Sequence, residues 1–536
     1  MGTKGGNGNG NADGKSTYAK FETAVKEIKL LGSANSLLSW DQETYMPPKG
    51  GAWRAEQLSL LAGLVHDRLV ADEMGEMLER LRGPAERGEL EPREATNVRE
   101  VARSFERERK LPADLVREMA KQASLSQEAW VKARKASDFS IFAPFLEKTV
   151  ELKRKAASLL GYETDKGEIY DALLEDFEPA TKTRDLVPVF DRLRGSLVKL
   201  VQAIQASGRR PDLDLSPSRG LAAAAAAGGA RRDAKARLFP VERQREFALA
   251  VAKDMGFDLE AGRLDVSAHP FCSGLQVRDV RMTTRYDERD IVMALFGVMH
   301  ETGHALYEQG YDPANAGTPM AEAVSSGIHE SQSRLWENQV GRSRPFWRHY
   351  YPKLQATFPE GLGDVDIDRF YFAINEVTPS FIRVEADEVT YNLHILLRTE
   401  LERELIAGRI QVSDLPRLWN QKMQEYLGVT PPSDAKGVLQ DIHWSLGLYG
   451  YFPTYTLGNL YAAQFFAAAR QDIQGLEGKI GRGELAPLRE WLRDKIHRHG
   501  QRFRAHELVR EVTGKPLDPD VFAGYLQTKF GEIYGV

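Results

Sequence analysis

A predominantly α-helical fold with minor β structure is predicted by three observations on this 536-residue chain. Apolar residues recur near every 3.6 positions over most of its length. Runs alternating with the period of two that a half-buried strand needs are rare. No internal repeat is visible, and the expected architecture is one unit of two lobes around a deep cleft.

Residues 1–17, rich in Gly and Asn, are expected to form a disordered tail, leaving 18–536 as a single domain. Phe21, Val25, Ile28 and Leu31 then make a helical stripe, ended by a turn at Met46–Gly51. Residues 55–82 read as one long amphipathic helix, followed by a polar break around Gly83–Gly88. The charged segment 91–139 is again helical, with Pro112 starting a new element. Its acidic and basic residues are interspersed, as on a solvated face. Residues 207–238 are turn-rich and then Ala/Gly-rich, an exposed loop or insertion with Ala222–Ala227 partly helical. Helical spacing resumes at Phe239. The best strand is Leu275–Thr284, an edge of a small sheet beside the helix 291–310, where it could hold a peptide backbone by strand addition. Further helices are expected over 321–341, over a segment containing 381–405, and on to the C-terminus.

Composition excludes several classes. Hydrophobic residues at 42% and charged residues at 28% describe an ordinary globular protein. A net charge of −5 gives no electrostatic case for nucleic acid or an anionic membrane. No apolar run approaches the ~20 residues that span a bilayer, and the N-terminus lacks the apolar core of a secretory signal. The single cysteine, Cys272, reads as a small buried hydrophobe, and with no intrachain disulfide possible a reducing, cytoplasmic location is expected.

Chemistry concentrates in IVMALFGVMHETGHALYEQG, residues 291–310. Ile291, Leu295, Val298 and Met299 mark it as helix, and positions i and i+4 lie on one face. His300 and His304 can therefore offer two imidazoles to one metal ion, while Glu301 borders the same cavity and can take a proton from water. Gly303 weakens the helix but lets something approach closely. With eleven histidines in the chain a lone H-E-x-x-H is not decisive, but its apolar-periodic context is the one a metal site requires. A catalytic zinc needs a third protein ligand. His329 and Glu330 are adjacent, so their side chains diverge by about 100° and at most one faces the ion. The His₂Glu set of thermolysin-like enzymes favours Glu330.

Further motifs stand in order: His269-Pro270-Phe271, Asp279-x-Arg281-x-Thr283, His300–His304, His329-Glu330-Ser331, Ile382-Arg383-x-x-Ala386-Asp387 and Gly437-x-x-Gln440-Asp441-x-His443-Trp444, with WDQETYMPP at 40–48. On these the chain resembles the thermostable, Taq-type metallocarboxypeptidase family from about Tyr18 to the end. The resemblance implies an all-helical, cleft-bearing fold like that of neurolysin and angiotensin-converting enzyme. It also implies a homodimer and removal of C-terminal residues from peptides with broad specificity. Zinc is the expected ion, although the same ligands accept cobalt or manganese.

The resemblance assigns further roles. Arg383 is the candidate for the substrate's free carboxylate, and Asp387, four residues on and on the same helical face if the segment is helix, is expected to orient it. Arg281 is the alternative, although Asp279 nearby can hold it in a structural ion pair. His269 is a further substrate-binding candidate, or it simply caps a turn or lines the cleft. In His443–Tyr455, Tyr451 and His443, then Tyr455, are candidates to stabilise the oxyanion. Helical zinc peptidases often place a carboxylate four residues after the ligand Glu; here that position is Arg334, so a histidine-orienting partner must come from elsewhere. An oligoendopeptidase or dipeptidyl carboxypeptidase is the competing enzyme. A non-catalytic helical scaffold is opposed by the intact His300, Glu301, His304 and Glu330.

Overall fold

The computed structural model describes residues 9–216 and 237–536, with side chains from residue 15 onward. The first eight residues and most of the 207–238 segment, Ala222–Ala227 included, lie outside the described residues. Before the sheet come α1 (Asn9–Thr44), α2 (Gly51–Leu69), α3 (Asp72–Glu86), α4 (Pro92–Arg109), α5 (Ala113–Ala136), α6 (Ala143–Leu160), α7 (Thr183–Ala206) and α8 (Val241–Met255). After it come α9 (Ile291–Gly310), α10 (Ser326–Arg334), α11 (Arg344–Thr357), α12 (Thr390–Ile406), α13 (Leu415–Leu427), α14 (Phe452–Asp472), α15 (Ala505–Thr513) and α16 (Pro519–Tyr534), among shorter turns. The helical class is as expected.

Several boundaries differ, each for a local reason. α1 begins at Asn9, inside the expected tail, because a turn anchored by buried Tyr18 and Phe21 extends at the gain of one backbone hydrogen bond per residue. The expected helix over 55–82 is two, α2 and α3, broken at Val70–Ala71. The helix expected over 321–341 starts only at Ser326, where the Ser325 hydroxyl accepts from the Ile328 N–H at 3.0 Å. Beyond Arg334 it widens into a π-helix, Leu335–Val340. Residues 383–385 form a 3₁₀ turn, and α12 begins at Thr390 because Asp387 accepts from the Val389 and Thr390 N–H groups.

The expected strand 275–284 is really two. β2 (Cys272–Gln276) and β3 (Asp279–Thr284) pair antiparallel, and β1 (Gly262–Val266) runs parallel on the other side of β3. The order β1-β3-β2 makes β3 central and β2 the edge. The reversal at Val277–Arg278 is tightened by the Gln276 side chain, which accepts from the Arg278 N–H.

Most of the chain shares one large apolar core. α1, α3 and α4 enclose a separate smaller one around Phe21, Leu78, Leu81 and Val98. Between α1 and the β2 edge lies a cavity of about 660 Å³ that also meets Glu308 of α9.

Candidate active site

α9 is launched by Asp290, whose carboxylate accepts from the Met293 N–H at 2.8 Å. Two glycines then bring the site's helices together. A Cβ at Gly303 would sit 2.6 Å from the Gln332 carbonyl, so the element that approaches Gly303 is the backbone of α10. A Cβ at Gly458 of α14 would sit 2.4 Å from Glu330 Cγ. α10 is thus sandwiched where Glu330 projects, and any side chain at either glycine would displace it.

His300, His304 and Glu330 meet as the spacing predicts, each offering one ligand atom within 4.8 Å of the others. Glu330 Oε2 lies 3.8 Å from His300 Nε2 and 3.5 Å from His304 Nε2. Ligands about 2.0–2.2 Å from a tetrahedral ion stand roughly 3.3–3.6 Å apart, so this donor set fits a divalent metal. Burial drives the His304 imidazole down to about 3, which keeps its ring neutral and its lone pair available. Burial opposes ionisation of Glu330 too, but Arg334 and His300 hold its carboxyl far below the usual range.

Glu301 is 6% exposed and carries no hydrogen bond among the described residues. Burial, with Glu330 adding to it against His300, pushes its carboxyl up to about 7. His329 turns from the ligand cluster, placing Nε2 2.9 Å from Glu308 while its ring stacks on His304 at 4.3 Å.

A second cluster lies alongside. Arg383 directs Nε to Asp441 Oδ1 at 2.9 Å and Nη1 to the Tyr391 hydroxyl at 3.1 Å. The expectation that Asp387 orients it fails, since Asp387 is spent on Thr378, Val389 and Thr390. The partner is Asp441, whose other oxygen takes Nε of fully buried Arg398 at 2.7 Å. His443 Nε2 meets the Tyr455 hydroxyl at 3.2 Å, and its ring is 5.6 Å from that of Tyr451. Burial, then Arg383, lowers His443 to about 3. Burial, then Glu330, raises Tyr451 to about 12, so it remains a donor at neutral pH.

The remaining candidates sit apart from these contacts. Arg281, on β3, forms a two-point pair with Asp279 and lies 4.4 Å over the Trp40 ring. His269 is exposed in the turn between β1 and β2.

Three residues escaped the sequence reading. Tyr391 joins the clusters, accepting from Arg383 on one side while the Arg334 guanidinium lies 4.2 Å over its ring on the other. Glu402 anchors the loop bearing His443 and Tyr451, accepting from Trp444 Nε1 at 2.8 Å and the Gly450 N–H at 3.2 Å. Glu337 contacts His300. No motif flags them; only their charge or polarity within apolar-periodic helix could have.

The family model for carboxypeptidase Taq (M32) metallopeptidases matches residues 20–530. Thermostable carboxypeptidase 1 of Thermus thermophilus is 44% identical, covering 97% of this chain and 99% of the relative; carboxypeptidase 1 of Bacillus subtilis is 39% identical, covering 97% and 99%. The crystal structure of the M32 carboxypeptidase from Deinococcus radiodurans is 40% identical and superposes with a TM-score of 0.89 over 97% of this chain and all of that one.

Proposed function

Because the chain belongs to the carboxypeptidase Taq (M32) metallopeptidase family and is a metallocarboxypeptidase, we propose that it is a zinc enzyme of broad side-chain specificity whose general base is Glu301. The observation that carries this is a buried Glu301, without a hydrogen bond among the described residues, beside the His300–His304–Glu330 donor set and near a buried arginine cluster. His300, His304 and Glu330 would hold the ion. When bound, such an ion supplies Lewis acidity for the scissile carbonyl and the attacking water.

The chain's own residues do the rest. Glu301 takes the water's proton and returns it to the leaving amine. Tyr451, with His443 and Tyr455, presents donors to the oxyanion. Arg383 receives the peptide's α-carboxylate: Nε donates to Asp441 and Nη1 to Tyr391, Nη2 lies 2.9 Å from Asp441 Oδ1, and the rest of the guanidinium edge is offered to a planar, bidentate partner. Arg281, engaged by Asp279, stands as the alternative, and His269 as a cleft-lining residue. Residues upstream of the scissile bond would pair with the β2 edge by strand addition.

The protein is proposed to work as a cytoplasmic homodimer. None of the described helices is long and apolar enough to cross a membrane. α2 buries no residue, and its exposed Trp53, Leu60 and Leu64 share one helical face that a second copy would cover.

The test uses matched peptides with free and amidated C-termini. Single residues released stepwise, only from the free form, are expected, with zinc found by elemental analysis. Equal cleavage of the amidated form, or release of dipeptides, would overturn the reading. Arg383→Ala should raise KM sharply on the free form alone.

A further inference from the structure

The position four residues beyond Glu330, where a carboxylate is expected to steady a ligand histidine, holds Arg334, and the structure shows what has taken over. Arg334 Nε donates to Glu330 Oε1 at 2.7 Å, while Glu330 Oε2 is the atom facing both histidines. Arg334 Nη1 donates to Glu337 Oε2 at 3.2 Å, and that same oxygen lies 2.9 Å from His300 Nδ1. Arg342 approaches the other Glu337 oxygen at 3.7 Å.

Glu337 lies in the π-helical turn that follows α10, a widened turn of the kind that often marks a functional position. His304 has no equivalent. Its Nδ1 finds no partner among the described residues, and the ring is stacked on His329 and packed edge-on against His300.

We propose that Glu337 and Arg334 are positioning residues for the metal ligands. Glu337 accepts the Nδ1–H of His300, fixing the tautomer that turns the Nε2 lone pair into the site. Arg334 ties down Glu330 Oε1, so that Glu330 offers a single oxygen. A ligand carboxylate and a ligand histidine are thereby fixed through one guanidinium, in place of the direct carboxylate expected at position 334. The π turn is what allows the acceptor to come three residues later.

This rests on His300, His304 and Glu330 being the metal site. The test is a competition titration of the apoprotein with Zn²⁺ against a chromophoric chelator, with the visible spectrum of the Co²⁺-loaded protein as a second readout. His304→Ala is the control for the site itself. Glu337→Gln, which keeps the side chain's size, is expected to weaken Zn²⁺ binding by roughly 10- to 100-fold and to alter the Co²⁺ bands, while apoprotein Tm stays near the parent's. Arg334→Gln should do the same. Parental affinity and spectrum in a folded Glu337→Gln would overturn the proposal and leave the metal-site reading intact. Parental affinity in His304→Ala would sink that reading instead. Should Glu337→Gln lower apoprotein Tm as much as it lowers affinity, its role is structural and the proposal is wrong.

Discussion

The wall that gathers His300, Glu301, His304 and Glu330 is drawn from one stretch of chain, 300–330. The neighbouring wall collects Arg383, Asp441, His443, Tyr451 and Tyr455 from segments spread across 383–455. Their charges differ as much as their construction. Counted as ionised, the first sets Glu301, Glu330 and Glu337 against Arg334 and Arg342, whereas the second sets Arg383 and Arg398 against Asp441. The first has carboxylate in excess and the second guanidinium. Buried groups of one sign are tolerated when a partner arrives to balance them, and the proposed function rests on that division, giving the first wall a cation and the second a peptide's terminal carboxylate. Tyr391, touched by Arg334 and Arg383, is where they join.

Substitutions can break this division. Glu301→Gln should lower kcat by about 10²- to 10⁴-fold while elemental analysis still finds the metal; loss of the ion as well would make Glu301 part of the metal-holding apparatus. Tyr451→Phe removes a phenol but no charge, and should cost about 10²- to 10³-fold in kcat with KM little changed. A change confined to KM would move Tyr451 from the oxyanion to substrate binding. Asp441→Asn loosens Arg383, and KM for free-carboxylate peptides should rise roughly tenfold or more with metal content unaltered. If metal is lost instead, the walls are not separable.

A last effect concerns stability. Burial raises the Glu402 carboxyl to about 7, against the donors Tyr170, Gly450 and Trp444. The folded chain therefore holds that proton more tightly than the unfolded chain, whose glutamates titrate at about 4.3. Its contribution is fully present below about pH 4.3 and is lost as pH rises through about 7. Relative to Glu402→Gln, the parent should lose on the order of 3 kcal/mol between pH 4 and 8, read from paired Tm measurements. A difference that is flat with pH would mean Glu402 is ionised in the fold and clamps the 444–450 loop as a carboxylate.

Much of the first wall was legible in the sequence because helical periodicity fixes which residues share a face. The pair at i and i+4 needed nothing beyond α9 being helix. That only one of His329 and Glu330 would face the histidines followed from the roughly 100° between neighbours, and His329 is indeed turned to Glu308; the choice of Glu330 came from the His₂Glu precedent. The same reasoning misled at Asp387. Four residues after Arg383 is one face only if the segment is helix, and there the chain makes a 3₁₀ turn ended by Asp387 itself. Strand 275–284 failed similarly, because alternation does not reveal a reversal at Val277–Arg278.

By itself, then, the sequence determined the helical class and the shared face of His300 and His304 with Glu301 beside them, all properties of spacing within single elements. Tertiary structure alone decided that Asp441 rather than Asp387 holds Arg383, that Glu337 stands behind His300, and that Glu402 pins the loop of His443 and Tyr451. Each of those pairs joins side chains from different elements, whose distance is set by how the helices pack, and no periodicity along one segment encodes that.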